Sequence, residues 1–360
     1  MASISPGKPA AAFADTVEAD KLRGTYLDVD AGKVTFGVYS QDWLENRTFS
    51  RLTHEATELR LRLHVWPALG HLWLRHIRPS TIQKMMRSMD LAETYRRVIF
   101  SNVSAILSAA VDDDLIAKNP CRASSVTKPS TSRRKVVPWP ADWVISMHEA
   151  IPTKYALAVT LASGLGLRQG EVFGLAVEDI DFLRGNVAVR RQVKVFNGNK
   201  LALGAPKGQK TRTVPLPHSV ARELNSHLAR FPPQKVTLPW DVPDAQETVT
   251  TALLLTTRER KALNRNYFNT SVWKPAQIRV DIPLARENGM HALRHWYASV
   301  FLDAGESIRA VSEYLGHSDP GFTLRTYTHL MPASAKRTRD AIDQALTSEV
   351  PSPVRHLHLA

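Results

Sequence analysis

The thirteen residues Tyr155-Ala-Leu-Ala-Val-Thr-Leu-Ala-Ser-Gly-Leu-Gly-Leu167 form the longest apolar run of this chain, and no other feature restricts its fold as strongly. A bilayer span takes about 20 apolar residues, and glycines interrupt this one. The run is therefore expected as a helix apolar on every side, which is stable only when buried in a larger body. Arg168-Gln-Gly-Glu171 follows at once, and Glu171, Val172 and Leu175 open a new helical pattern. An arginine is thus expected at the junction of a buried helix and its successor.

The flanking sequence divides by periodicity. Residues 1–32 are expected as a loose lead-in with one short helix over Phe13 to Leu27. Phe36, Tyr39, Trp43 and Leu44 then share a helical face, as do Leu52, Ala56, Leu59, Leu63 and Trp66 in a second helix that Pro67 should end. A third helix opens at Pro79-Ser80 with Ile82, Met85, Met86 and Met89 on its stripe. A fourth, from about Glu93, aligns Ile99, Val103, Ile106, Leu107 and Ala110 and stops near Asn119-Pro120. Residues 33–121 therefore predict a small all-α domain. Periodicity is lost over 122–137, where Lys128, Arg133, Arg134 and Lys135 stand among serines, threonines and prolines; this predicts a basic linker lying across phosphates.

From 138 to 335 the pattern is mixed. Helices are expected at about 141–150, 153–163 and 219–231, and near 291–304, 307–315 and 320–330. Alternation of Val187, Val189, Val193 and Val195 predicts one strand from Asn186 to Phe196, followed by an Asn197-Gly198-Asn199 turn, and Arg212–Leu216 predicts another. The fold class is α+β, an all-α domain linked to a helical domain with a small antiparallel sheet. Residues 336–360 are a C-terminal helix and tail.

Lys plus Arg exceed Asp plus Glu by 47 to 34, a net charge of +13, which suggests a polyanionic partner without choosing among DNA, RNA and membrane surfaces. The single cysteine, Cys121, cannot close an internal disulfide, no Cys/His cluster has zinc spacing, and no Walker motif is present. The acidic residues Asp15, Glu18 and Asp20 argue against a signal peptide, so a cytoplasmic protein is expected.

Chemistry concentrates near the C-terminus. His291-Ala-Leu-Arg294 places an imidazole and a guanidinium one helical turn apart. Leu315-Gly316-His317 should end a helix on a left-handed glycine, and Asp319-Pro320 should cap the next, which carries Tyr327. Two arginines can grip one phosphate with planar forks of donors, and a phenol beside them can attack phosphorus.

Arg168, His291-x-x-Arg294, Leu315-Gly316-His317 and Tyr327, in this order, resemble the tyrosine recombinase (phage integrase) family, over about residues 33 to 347. The resemblance implies a SAM-like core-binding domain at 33–121, a catalytic domain at 138–335, and strand transfer through a 3′-phosphotyrosine with no cofactor and no metal. It implies that Arg168 and Arg294 bind the scissile phosphate, Glu171 buttresses them, His291 and His317 assist, and Tyr327 is the nucleophile. Spacing within the motif selects His291 over His295, which is left as structural. Lys207 is expected to protonate the leaving 5′ oxygen from a β-hairpin turn, with Lys210 its neighbour as alternative; Lys210 and Arg212 are expected to contact DNA. Tyr327 follows His317 by ten positions where much of the family has nine, and Leu165 stands where a small polar residue is usual.

The partners implied are double-stranded DNA attachment sites, a homotetramer on synapsed DNA, and accessory bending or excision factors. Helix 334–346, with Ala341, Ile342 and Leu346 on one side, is a candidate for docking on a neighbouring protomer. No strand pattern precedes residue 32, so an arm-binding domain is not expected. A type IB topoisomerase and an inactive DNA-binding relative are the alternatives.

Overall fold

The computed structural model describes residues 32–130, 135–317 and 319–328, with positions 339, 342, 343 and 346. Expectations for the lead-in, for Arg133 and Arg134, and for most of 334–346 lie outside the described residues. The chain divides into two compact units at Arg134/Lys135.

The first unit is all-α. Helix α1 (Phe36–Glu45) starts on Thr35, whose hydroxyl accepts from the Val38 amide. Next come α2 (Arg51–Arg60), a π-turn (Leu61–Val65) and α3 (Trp66–Leu69), a continuous helical run. Helices α4 (Pro79–Ser88) and α5 (Glu93–Asp112) complete the unit. Phe36, Leu61, Val65, Ile82, Ile99 and Leu107 meet in its core.

The second helical run differs from expectation in two ways. Pro67 does not end it but lies just after the π-turn, in the first turn of α3, and the run continues past it to Leu69. The buried face is Thr57, Leu61, Val65 and Leu69, whereas the expected Leu59 and Leu63 are 39% and 53% exposed. Those buried residues recur every four positions, more than an α-helix has per turn, and the π-turn's wider winding keeps them aligned.

The described first half of the linker is no loose tether. The Thr127 amide donates to Gln83 Oε1 and the Ser130 amide to Glu93 Oε1, both at 2.8 Å, while Val126 and Pro129 are buried. Lys128 and Lys135 are exposed.

The second unit is α+β, as expected. Helix α6 (Ala141–Ala150) leads to α7 (Thr153–Leu165), nine of whose thirteen residues are buried, as its sequence requires. After α8 (Gln169–Gly174) come β1 (Ile180–Asp181), β2 (Asn186–Val189), β3 (Gln192–Val195), β4 (Leu201–Gly204) and β5 (Arg212–Pro215). Helix α9 (His218–Arg230) packs on α7, and β6 (Gln234–Pro239) pairs with β7 (Thr248–Leu253). Short helices α10 (Arg265–Phe268) and α11 (Lys274–Arg279) precede α12 (His291–Asp303), α13 (Ile308–Leu315) and α14 (Pro320–Tyr327).

The expected strand over 186–196 is two strands broken at Arg190-Arg191. β2 lies between β1 and β5, with Val187 opposite Ile180 and Val214, whereas β3 pairs with β4 in a separate ribbon. The break has a cause: Arg191 reaches Glu178, Asp179 and the Thr251 hydroxyl, an anchor that turns the chain out of the first sheet. The described residues therefore hold three small antiparallel sheets in place of one. Their main core joins α7, α8 and the strands, and a smaller cluster gathers Tyr297, Leu302, Val311, Leu315 and Tyr327.

Candidate active site

Gly166 ends α7 in the left-handed conformation, φ +63°, which turns the chain so that Arg168 opens α8. A Cβ there would come within 2.5 Å of the Tyr297 ring, so both conformation and space call for glycine. Glu171, three residues into the turn, accepts from the Arg168 amide and from Arg168 Nη1, each at 2.9 Å.

Arg212, the first residue of β5, meets the same carboxylate from the other side. Its Nη1 and Nη2 donate to Glu171 Oε1 and Oε2 at 3.1 and 2.7 Å, and its Nε donates to the Tyr314 carbonyl at 2.6 Å. Only 5% of its side chain is exposed. The sequence expects Arg212 to contact DNA; in the structure three of its five N–H donors go to protein, and it braces the carboxylate that orients Arg168.

Helix α13 ends on Gly316 in the left-handed conformation, φ +63°, and its last carbonyls turn towards the arginines. Arg168 Nη2 donates to the Gly316 carbonyl at 3.3 Å. Arg294, 1% exposed, donates from Nη1 to the Gly166 carbonyl at 2.6 Å and from Nη2 to the Leu315 carbonyl. His317 Nε2 lies 3.1 Å from Arg294 Nη2, and its Nδ1 lies 2.7 Å from the Thr323 hydroxyl. Of the five N–H donors on Arg294, two remain by count for an anion.

These residues face a cleft of about 530 Å³ lined by Arg168, Lys207, Lys210, His291, Arg294 and His317, with Phe322 and Arg325 at its α14 side. Lys207 and Lys210 come from one turn, closed by the Gln209 amide on the Pro206 carbonyl at 2.9 Å. The expected hairpin is absent, because β4 and β5 belong to different sheets. Both lysines are exposed at the cleft.

The electrostatics suit an anion. Burial would raise the Glu171 carboxyl, but Arg212, Arg168 and Arg294 outweigh it and hold it down at about 2. Three guanidiniums thus share one carboxylate, which leaves an excess of two positive charges. The excess shows in Arg294 itself, lowered to about 9 by burial and then by Arg168. Burial, helped by Arg294, lowers His317 to about 3 and His295 to about 4; burial, then His295 and Arg294, lowers His291 well below its ordinary value. All three imidazoles are therefore neutral near pH 7 in the free protein.

Tyr327, 1% exposed, ends α14 beside the cleft, and burial raises its phenol to about 12. Its hydroxyl lies 2.7 Å from His295 Nδ1. His295 thus touches the expected nucleophile, a contact the sequence could not reveal because its helix-mate His291 fits the motif spacing. Thr323, which holds His317, was also missed. Among the described residues, no three His, Cys, Asp or Glu side chains converge as a metal cage, and no helix is long and apolar enough to cross a membrane.

A buried and a half-buried arginine, three neutral imidazoles and a phenol on an α+β body can together hold and attack a phosphodiester. The phage integrase family model matches residues 144–333, and the chain belongs to that family. Membership makes it a DNA recombinase of the tyrosine class. It is 29% identical over 321 residues to a prophage phiRv2 integrase of Mycobacterium tuberculosis, covering 88% of this chain and 78% of the relative. Its fold is that of the Tn1549 transposon integrase in complex with circular-intermediate DNA (TM-score 0.70, 20% identity, 86% of this chain and 99% of that one). It is also that of a lambda integrase tetramer bound to a Holliday junction (TM-score 0.62, 15% identity, 92% and 88%).

Proposed function

We propose that this recombinase integrates and excises phage or prophage DNA at attachment sites, through a 3′-phosphotyrosine at Tyr327. The observation that carries the reading is a charge excess: Arg168, Arg294, Arg325, Lys207 and Lys210 line the cleft against one carboxylate, Asp319, and the Tyr327 phenol lies within the field of Arg294 and Arg168. A phosphodiester brings one negative charge, and more accumulates on its oxygens as the phenol adds. Preorganised donors are worth most where charge develops.

In this reading Arg168 and Arg294 hold the non-bridging oxygens, each braced by carbonyls at the end of α13 and Arg168 also by Glu171. His317, fixed by Thr323, accepts from Arg294 Nη2 and so helps to aim that guanidinium at the phosphate. His291 lines the cleft and helps to seat the phosphate. Lys207 protonates the departing 5′ oxygen, and Lys210 beside it holds a neighbouring phosphate. Lys128, Arg133, Arg134 and Lys135 add contacts to the duplex backbone. The phosphotyrosyl ester conserves the energy of the bond it replaces, so a 5′-hydroxyl from a second duplex reverses the step. Four protomers exchange the strands of two duplexes, the arrangement in which lambda integrase is bound to a Holliday junction.

The test is to incubate the full chain with a supercoiled plasmid carrying two copies of its attachment site, sought as a direct repeat at the genomic flanks. Recombinant circles that depend on both sites support the reading. Relaxation independent of any site would favour a topoisomerase, and binding without either product an inactive relative.

A further inference from the structure

The Tyr327 hydroxyl is not held by His291, the histidine that the motif spacing selects, but by His295 one turn further along α12. The Tyr327 and His295 rings stand 5.7 Å apart at 60°, and the His295 ring also meets His291 edge to face, 4.6 Å between centroids. A phenol at about 12 is ionised to about one part in 10⁵ at pH 7. Attack by preformed phenolate would therefore forfeit several powers of ten in rate. A positioned base that takes the proton during attack avoids that loss, provided that it is unprotonated beforehand.

His295 meets both conditions, distance and charge state. We propose that His295 is the catalytic base that removes the phenolic proton of Tyr327. This rests on Tyr327 being the nucleophile. As the Tyr327 oxygen bonds to phosphorus, its proton passes to His295 Nδ1 and the P–O5′ bond breaks, the 5′ oxygen taking a proton from Lys207. With Nδ1 accepting, the neutral ring carries its own proton on Nε2. During rejoining the bonds exchange again, and the His295 imidazolium returns its proton to the leaving phenolate. The charged and titratable groups around the pair are His291 and Arg294 from α12 and Arg168 at the head of α8. Burial and then Arg294 disfavour the His295 imidazolium in the free protein. A bound phosphate offsets the Arg294 charge, so the base becomes competent when DNA is seated.

The experiment measures single-turnover covalent attachment of the full chain to a nicked duplex carrying its attachment site, from pH 6 to 9, for His295→Ala and His295→Asn. Half-site binding on a native gel reports folding. Both variants should bind DNA and attach roughly 10²–10⁴-fold more slowly. Asn should do no better than Ala, because an amide accepts the phenol hydrogen bond but cannot keep the proton. The residual rate should climb about tenfold per pH unit, since hydroxide must then ionise the phenol, and added imidazole should accelerate the Ala variant. A parental rate in the Asn variant would reduce His295 to positioning and overturn the proposal. So would an Ala variant within a few-fold of parent with an unchanged pH profile. Tyr327→Phe runs alongside: covalent attachment by that variant would defeat the nucleophile reading itself, whereas an inert Phe variant beside normal His295 variants would defeat only the base.

Discussion

Arg212 and Glu171 form a two-point ion pair, at 3.1 and 2.7 Å, with 5% and 0% of their side chains exposed. The carboxylate has a second partner in Arg168. A residue on a strand therefore sets the orientation of a cleft arginine on a helix without reaching the cleft itself. Removing it should leave a buried carboxylate short of its strongest partner. Arg212→Ala should destabilise the chain by about 3–5 kcal/mol, and Arg212→Ala with Glu171→Gln by less than the two single changes summed. Denaturant unfolding of the four proteins checks this; additive losses would show that the pair does not act as a unit.

Stability should fall on acidification in two stages. For His317, held at about 3 against an ordinary 6.5, the folded state resists protonation; stability is full above 6.5 and lost as pH drops from there towards 3. Glu171, held at about 2 against 4.5, contributes fully above 4.5 and loses that contribution as pH drops towards 2. His291 and His295 act in the same window, so His317→Asn should make the melting-temperature profile shallower between pH 6.5 and 4 and leave the lower limb in place. An identical slope in that window would contradict the burial argument.

Gly166→Ala tests the junction that aims Arg168. The left-handed conformation costs roughly 1–2 kcal/mol for a non-glycine residue, and the Cβ would press on Tyr297 and Leu315, adding roughly 1–3 kcal/mol of overpacking. Because the Gly166 carbonyl also anchors Arg294, DNA cleavage should drop more than DNA binding. Thermal unfolding and attachment rates measure the two effects separately.

Arg294→Lys should keep the charge and lose the reaction. One ammonium cannot meet the Gly166 carbonyl, the Leu315 carbonyl and an incoming phosphate with the geometry of a planar fork. Attachment should slow by about 10²–10³-fold, with half-site affinity little changed. A near-parental rate would remove Arg294 from the phosphate clamp.

The sequence carried the α+β class and the composition of the site, and the reasons are local. The apolar run before Arg168 had to be buried, Gly316 had to cap a helix, and Asp319-Pro320 had to start one; each signal lies within a few residues of its consequence. What it hid depends on residues far apart in the chain. Arg212 reads as a basic strand residue until the fold brings it to Glu171, 41 positions away. His295 reads as a spare imidazole until α14 sets Tyr327 against it, 32 positions on. Leu59 and Leu63 fit an α-helical stripe as well as their buried neighbours do, and only the π-turn decides between them.

The central claim is that one phenol, Tyr327, takes the DNA. The most direct measurement traps the full chain on a nicked duplex, digests both polymers, and identifies the peptide that carries the nucleotide by mass spectrometry. The account predicts a nucleotide joined through its 3′-phosphate to the Tyr327 oxygen, and no adduct from Tyr327→Phe although that variant still binds the half-site. An adduct on Tyr314 or any other residue, or a 5′-phosphate linkage, would contradict it.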